Sequence, residues 1–317
     1  MEKEPTYEDV LKARARVSPL VHRTPVWTCR TLDEMCGASL FFKCENLQKC
    51  GAFKIRGACN AVFSLSEKDA EKGVATHSSG NHGAALALAA RWRGVPAYVV
   101  MPENAPEVKR EAVKGYGARI TFCKPSLEAR EQGLRRVLSQ TGAAFIHPYN
   151  DGRVIAGQGT AAIELIEDVP DLDVIITPVG GGGLLSGTAV ALSPQLRRAS
   201  VVGAEPEEAD DAFRSLKAGR IVPAQNPQTV ADGLRTSLGD LTFPIIQRLV
   251  KDIVTVSEAG IVHGMRTLWE RMKLVVEPSA AVPLGALLTK RINLEGKKVG
   301  ILLSGGNVDL KKLPWTP

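Results

Sequence analysis

The sequence predicts an α/β protein whose parallel-rich sheets carry helices on both faces, and three observations support that class. Between Gly73 and Ile146, short β-branched runs alternate strictly with amphipathic ones. At Asp173–Thr188 an apolar strand-like run breaks into four glycines and then into small, helix-compatible residues. A chain of 317 residues with 44% hydrophobic content is long enough for two cores, so two domains are expected.

Taken in order, residues 5–17 have helical apolar spacing, and Leu40–Glu45 reads as a short strand. The stretch Asn46–Leu65 is a glycine-containing loop running into a helix, which puts Lys54 at or near a helix N-terminus between Phe53 and Ile55. There the helix dipole opposes a cation and apolar neighbours disfavour charge, so the amine pKa should fall, as a Schiff-base lysine requires. A lysine that simply snorkels to solvent fits the same local pattern.

The alternating region reads as strand Val74–Ser78, helix Gly83–Arg93, strand Ala97–Met101, helix Pro106–Tyr116, strand Arg119–Cys123, helix Ser126–Leu138 and strand Ala144–Ile146. At its first strand-to-helix turn lies Ser78-Ser-Gly-Asn-His-Gly83. Hydroxyls, an amide and an imidazole are thereby delivered to the carboxyl end of a parallel strand, where open α/β sheets bind ligands. Ser78 or Ser79 could also cap the helix.

After the turn-rich joint His147–Gly152, a helix is expected at Gly159–Glu167, followed by the strand, glycines and helix of 173–188. The bare backbone of Gly180–Gly183 can close its N–H groups around an anion, with the positive end of the next helix behind it. The run lacks the Lys-Ser/Thr of a nucleotide loop and the spaced glycines of a dinucleotide fingerprint, so a ligand with one small phosphate fits better. Glycine runs also serve as hinges, but hinges are rarely framed by a buried strand and a helix start. Strand Ser200–Glu205 ends in Glu205-Pro-Glu-Glu-Ala-Asp-Asp211. Such loops are commonly just solvated, although oxygen clusters suit magnesium, manganese or calcium. Residues 206–240 read as polar and irregular; helices at 258–272 and 279–291 and strand Lys298–Leu303 then lead to Ser304-Gly-Gly-Asn307.

The charge of +6 is spread along the chain, which argues against a nucleic-acid partner, and no apolar run reaches membrane-spanning length. Six cysteines without a CxxC pair favour reduced thiols. A soluble, cytoplasmic protein is expected.

The segments Lys49-Cys-Gly-Ala-Phe-Lys-Ile-Arg-Gly-Ala58, Ser78–Gly83, Gly157-Gln-Gly-Thr160, Gly180–Gly183 and Ser304–Asn307, in this order, resemble the serine/threonine dehydratase family of pyridoxal-phosphate enzymes. The resemblance covers nearly the whole chain. It implies the fold-type II architecture, in which a small domain at 73–147 is inserted into a large domain made of 1–72 and 148–317, with pyridoxal 5'-phosphate in the cleft. By the same resemblance Lys54 carries the cofactor covalently, Phe53 packs on its ring, Gly180, Gly181, Gly182 and Gly183 hold its phosphate, Asn81 partners the ring hydroxyl and Ser304 the ring nitrogen. Ser78, Ser79, Asn81, His82 and Arg130 match substrate-binding positions, and Ser79 also matches a catalytic one. Glu205, the Ala209 carbonyl and Asp211 match a divalent-cation site. Ala52 stands where many relatives carry serine, and Arg235-Thr236 follows Asp232-Gly-Leu where Lys-Ser is typical. The implied activity is racemisation of serine together with elimination of water from it, by a homodimer acting on small hydroxy amino acids. A dedicated serine, threonine or 3-hydroxyaspartate dehydratase is the alternative, and a non-catalytic cofactor-binding protein the third reading.

Overall fold

The computed structural model describes residues 3–78, 80–195 and 199–315. Ten strands are described: β1 (Val26–Trp27), β2 (Ser39–Cys44), β3 (Val74–His77), β4 (Ala97–Pro102), β5 (Arg119–Cys123), β6 (Ala144–Phe145), β7 (Val174–Pro178), β8 (Ser200–Pro206), β9 (Asp252–Val256) and β10 (Lys298–Leu303). They form two sheets. The larger runs β1-β2-β10-β7-β8-β9 and is parallel except for β1 against β2; the smaller runs β5-β4-β3-β6 and is parallel throughout. The α/β class and the helix–strand alternation after Gly73 are therefore as the sequence predicts.

Strands β7, β8 and β10 read as near-continuous Val/Ile/Leu runs because helices cover both of their faces. One face packs on helices Glu258–Thr267 and Pro278–Leu288, the other on helices Gly152–Asp168 and Gly183–Leu192.

Three differences from the sequence expectation have physical causes. The helix expected to start at Gly159 starts at Gly152, capped by Asp151, whose carboxylate accepts from the N–H groups of Arg153 and Val154. Its glycines look like breakers in one dimension, yet they mark close helix contacts. A Cβ at Gly157 would lie 2.6 Å from the Arg56 carbonyl oxygen, and one at Gly159 would lie 2.6 Å from that of Gly187. Helix Asp211–Ala218 occupies part of the stretch expected to be irregular, burying Asp211, Ala212 and Ser215 along one face. Helices Arg30–Cys36 and Thr242–Leu249 and strand β9 add to the elements expected from the sequence and are stabilised by packing against the large sheet.

Beside the large sheet, Lys43 on β2, Glu45, Arg56 and Glu164 form a buried group of two cations and two anions. The Arg56 guanidinium donates to both Glu45 oxygens at 2.7 and 2.8 Å and to both Glu164 oxygens at 2.7 and 2.8 Å. Lys43 Nζ reaches Glu164 at 2.7 Å and the Thr24 carbonyl at 2.7 Å. Burial pushes the Glu164 carboxyl up, but the hydrogen bonds and charges of Arg56 and Lys43 outweigh it and hold the group below its ordinary value. Its contribution to stability is therefore present at neutral pH and is lost as pH falls through the depressed pKa. Glu164→Gln leaves one buried positive charge uncompensated and is expected to cost about 3–5 kcal/mol in urea denaturation. A loss under about 1 kcal/mol would show that the cluster does not brace this face.

Candidate active site

Lys54 is the first residue of helix Lys54–Phe63. The chain arrives there through two short turns, Glu45–Leu47 and Lys49–Gly51, and is clasped to the turn after β10. The Phe53 N–H donates to the Ser304 carbonyl at 3.0 Å, the Gly306 N–H to the Gly51 carbonyl at 2.9 Å, and Asn307 Nδ2 to the Cys50 carbonyl at 2.8 Å. Lys54 Nζ donates to the Pro148 carbonyl at 2.8 Å and lies 5.1 Å from the centre of the Phe53 ring. Burial lowers its pKa to about 8 against the opposing pull of the Glu277 carboxylate. The depressed amine anticipated from the sequence is present, with desolvation as the dominant cause.

Across the cleft, Gly182 has φ +88° and precedes helix Gly183–Leu192 without a side-chain cap, so the first N–H groups of that helix are free to receive an anion. The walls leave no room for side chains on this turn. A Cβ at Gly181 would lie 2.3 Å from the Tyr149 ring, and one at Gly183 would lie 2.9 Å from Tyr149 Cβ. Gly180 faces Leu234, whose Cα would be 3.2 Å from an added Cβ.

The small sheet contributes the end of β3. Ser78 does not cap the helix as it could: the N-cap of helix Asn81–Arg93 is Gly80, and the Ser78 hydroxyl instead accepts the Gly80 N–H at 3.2 Å. Ser79 lies outside the described residues. Asn81 Nδ2 donates to Glu277 Oε1 at 2.8 Å, and Asn81 Oδ1 accepts from Asn307 Nδ2 at 3.0 Å. His82 is buried, with Nδ1 lacking a hydrogen-bond partner; burial first, then the Lys54 charge, keep it neutral. Arg130, on helix Leu127–Thr141, acts electrostatically on His77 and Tyr149. Those two residues end an aromatic row, His77–Phe145–His147–Tyr149, with consecutive ring centres 6.1, 5.6 and 4.5 Å apart.

Sequence reasoning missed Glu277, Lys109 and Tyr149. Glu277 is buried beside the Ser304–Gly305 turn, its Oε2 has no partner, and burial, aided by Asp232 and opposed by Lys109, pushes it up to about 7. Lys109 Nζ pairs with Asp232 Oδ2 at 2.5 Å, linking helix Glu107–Gly115 to the loop beside the glycine turn. Burial works against its charge, but Glu277 and Asp232 outweigh that and raise its pKa. In sequence, Glu277 reads as an ordinary residue before an N-terminal proline and Lys109 as one charge on an amphipathic helix.

At the end of β8, the Glu205 carboxylate accepts from the N–H groups of Ala212 and Phe213, and Asp211 Oδ2 accepts from the Leu238 N–H at 3.1 Å. Burial is the main cause raising both, Glu205 well above its usual value and Asp211 to about 7. Among the described residues there is no group of three or more His, Cys, Asp or Glu side chains placed to hold a metal; this position offers two carboxylates beside the buried Ala209.

The model for pyridoxal-phosphate dependent enzymes matches residues 17–305. The chain belongs to this family. It is 53% identical over 311 residues to a beta-hydroxyaspartate dehydratase of Paracoccus denitrificans, covering 98% of this chain and 99% of the relative. It is 51% identical to a serine racemase of Dictyostelium discoideum, covering 97% and 96%. The structure of maize serine racemase superposes with a TM-score of 0.95 at 47% identity, covering 98% of this chain and 95% of that one.

The residues present fit pyridoxal phosphate: a half-buried amine with depressed pKa, a side-chain-free turn at an uncapped helix start, and the orphaned Glu277 Oε2 and His82 Nδ1 beside them. Only the neutral amine adds to an aldehyde. Because Lys54 is lowered to about 8, the rate of covalent cofactor uptake by the cofactor-free protein should rise up to about pH 8 and then level off. Absorbance-monitored reconstitution checks this, and a rate still climbing through pH 10 would contradict it. Lys54→Ala should remain folded and gain no covalent absorbance.

Proposed function

We propose that this protein is a serine racemase that also eliminates water from serine to give pyruvate and ammonia, acting as a cytoplasmic homodimer. The observation that carries this reading is the juxtaposition of Lys54, the glycine turn and the Asn81–His82 start of helix Asn81–Arg93 in one cleft, within a chain about as similar to racemases as to a hydroxy-amino-acid dehydratase. The cofactor, when bound, withdraws electrons from the substrate α-carbon and so acidifies its proton. Lys54 is the base on one face of that carbon, its amine brought into the useful range by burial. Ser78, Asn81, His82 and Arg130 bind and orient the substrate carboxylate, Phe53 backs the ring, and Ser304 offers the ring nitrogen a hydroxyl. Ser79 serves the opposite face. Residues 73–147 act as a small domain that closes over the substrate and excludes water, drawn to the remainder of the chain by Asn81–Glu277 and Lys109–Asp232.

A dedicated dehydratase of serine, threonine or 3-hydroxyaspartate is the second reading, favoured by the 53% identity to a beta-hydroxyaspartate dehydratase. Assaying L-serine for both D-serine and pyruvate separates the two. Ser79→Ala should lose racemisation by about a hundredfold or more, the scale of acid–base catalysis, and keep much of the elimination of L-serine. Normal racemisation by that variant would end the two-face mechanism, and absence of D-serine from the native enzyme would leave the dehydratase.

We further propose that Glu205, the Ala209 carbonyl and Asp211 bind a magnesium, manganese or calcium ion. Two adjacent buried carboxylates that burial pushes toward the neutral form are the expected surroundings of a hard cation. A ligand that binds only the folded protein stabilises it, so chelation should lower the Tm of the native protein and magnesium should restore it. Asp211→Ala should respond to neither; a native protein indifferent to chelator would refute the site.

A further inference from the structure

Tyr149 joins three parts of the cleft. Its ring lies against the glycine turn so closely that a Cβ at Gly181 would be 2.3 Å away. The residue before it, Pro148, accepts the Lys54 amine at 2.8 Å. Its hydroxyl is 3.0 Å from Thr236 Oγ1 on the far wall. The next residue, Asn150, fastens the same wall by donating to Asp240 at 2.6 Å and accepting the Leu241 N–H at 2.9 Å. Asp211 holds the wall from the other side through the Leu238 N–H at 3.1 Å. The wall that carries Thr236 is thus held on both sides, and its hydroxyl meets that of Tyr149, both residues half-buried, at the end of a ring whose base borders the turn and whose neighbour Pro148 accepts the amine.

Two hydroxyls carry two protons and several lone pairs, and their mutual bond uses one of each. One O–H and further lone pairs remain for a third polar group. Burial raises the phenol pKa, so Tyr149 stays a neutral donor and acceptor over the working pH range. A half-buried pair left with unused hydrogen-bonding capacity favours a ligand that engages it once the cleft is filled and water is displaced, and disfavours one that does not.

We propose that Tyr149 and Thr236 form a hydroxyl pair that recognises the β-hydroxyl of the amino-acid substrate. This deepens, and rests on, the hydroxy-amino-acid reading above. The pair holds the β-hydroxyl in place; the proton that Lys54 takes from the α-carbon is returned to the departing hydroxyl, which leaves as water.

Comparing L-serine with β-chloro-L-alanine tests the proposal, because chloride leaves without a hydrogen-bond donor. In the cofactor-loaded enzyme, Tyr149→Phe should lower kcat/KM for L-serine elimination about tenfold, the scale of a lost hydrogen bond. Elimination from β-chloro-L-alanine should stay within about twofold, and Tm and bound-cofactor absorbance should not change. Thr236→Val should behave alike, Thr236→Ser should restore serine turnover, and the double variant should be no worse than either single one, as for a shared interaction. Equal losses on both substrates would overturn the proposal, showing that Tyr149 acts only on the glycine turn; so would unchanged serine kinetics. A native enzyme that eliminates chloride but is inert toward every hydroxy amino acid would instead remove the functional reading itself.

Discussion

Arg56 stands two residues beyond Lys54, and its fully buried guanidinium is held by Glu45 from the end of β2 and by Glu164 from helix Gly152–Asp168. A buried charge is tolerated only when its partners are complete, and here every arm of the fork is engaged, with Lys43 balancing the second carboxylate. The consequence is positional. Helix Lys54–Phe63 cannot rotate or slide without breaking several charge-assisted bonds at once, so the amine at its first turn is aimed into the cleft. Burial at that spot then sets its protonation, which connects a stability device to a chemical one.

Between the two sheets the named polar contacts are of a different kind. Asn81–Glu277 and Lys109–Asp232 are long in sequence and lie beside the cleft, each joining a buried charged group, Glu277 or Lys109, to a partly exposed partner. Glu277 faces the positive charges of both Lys54 and Lys109, yet burial brings its pKa to about 7. Its charge near neutrality is therefore sensitive to whatever occupies the cleft, since a new polar partner for Oε2 alters the balance between desolvation and attraction.

The glycine turn answers to two constraints at once. Its N–H groups, uncapped by any side chain, suit an anion. Gly181 and Gly183 are also small because Tyr149 lies against them, and Gly182 because its backbone is left-handed. A reader of the sequence sees four glycines and one reason; the folded chain adds a second for Gly181, Gly182 and Gly183.

The sequence by itself determined the α/β class, the alternation after Gly73, the strand–glycine–helix unit and the placement of Lys54 at a helix start, because each depends on periodicity and backbone freedom within a few residues. Those same local patterns carried the family resemblance. Tertiary structure decided the rest. The helix start at Gly152 was hidden because its glycines register contacts with partners distant in sequence, and Glu277, Lys109 and Tyr149 were hidden because each is unremarkable until another element buries it. Desolvation and ion pairing are properties of a neighbourhood, and a neighbourhood exists only after the chain has folded.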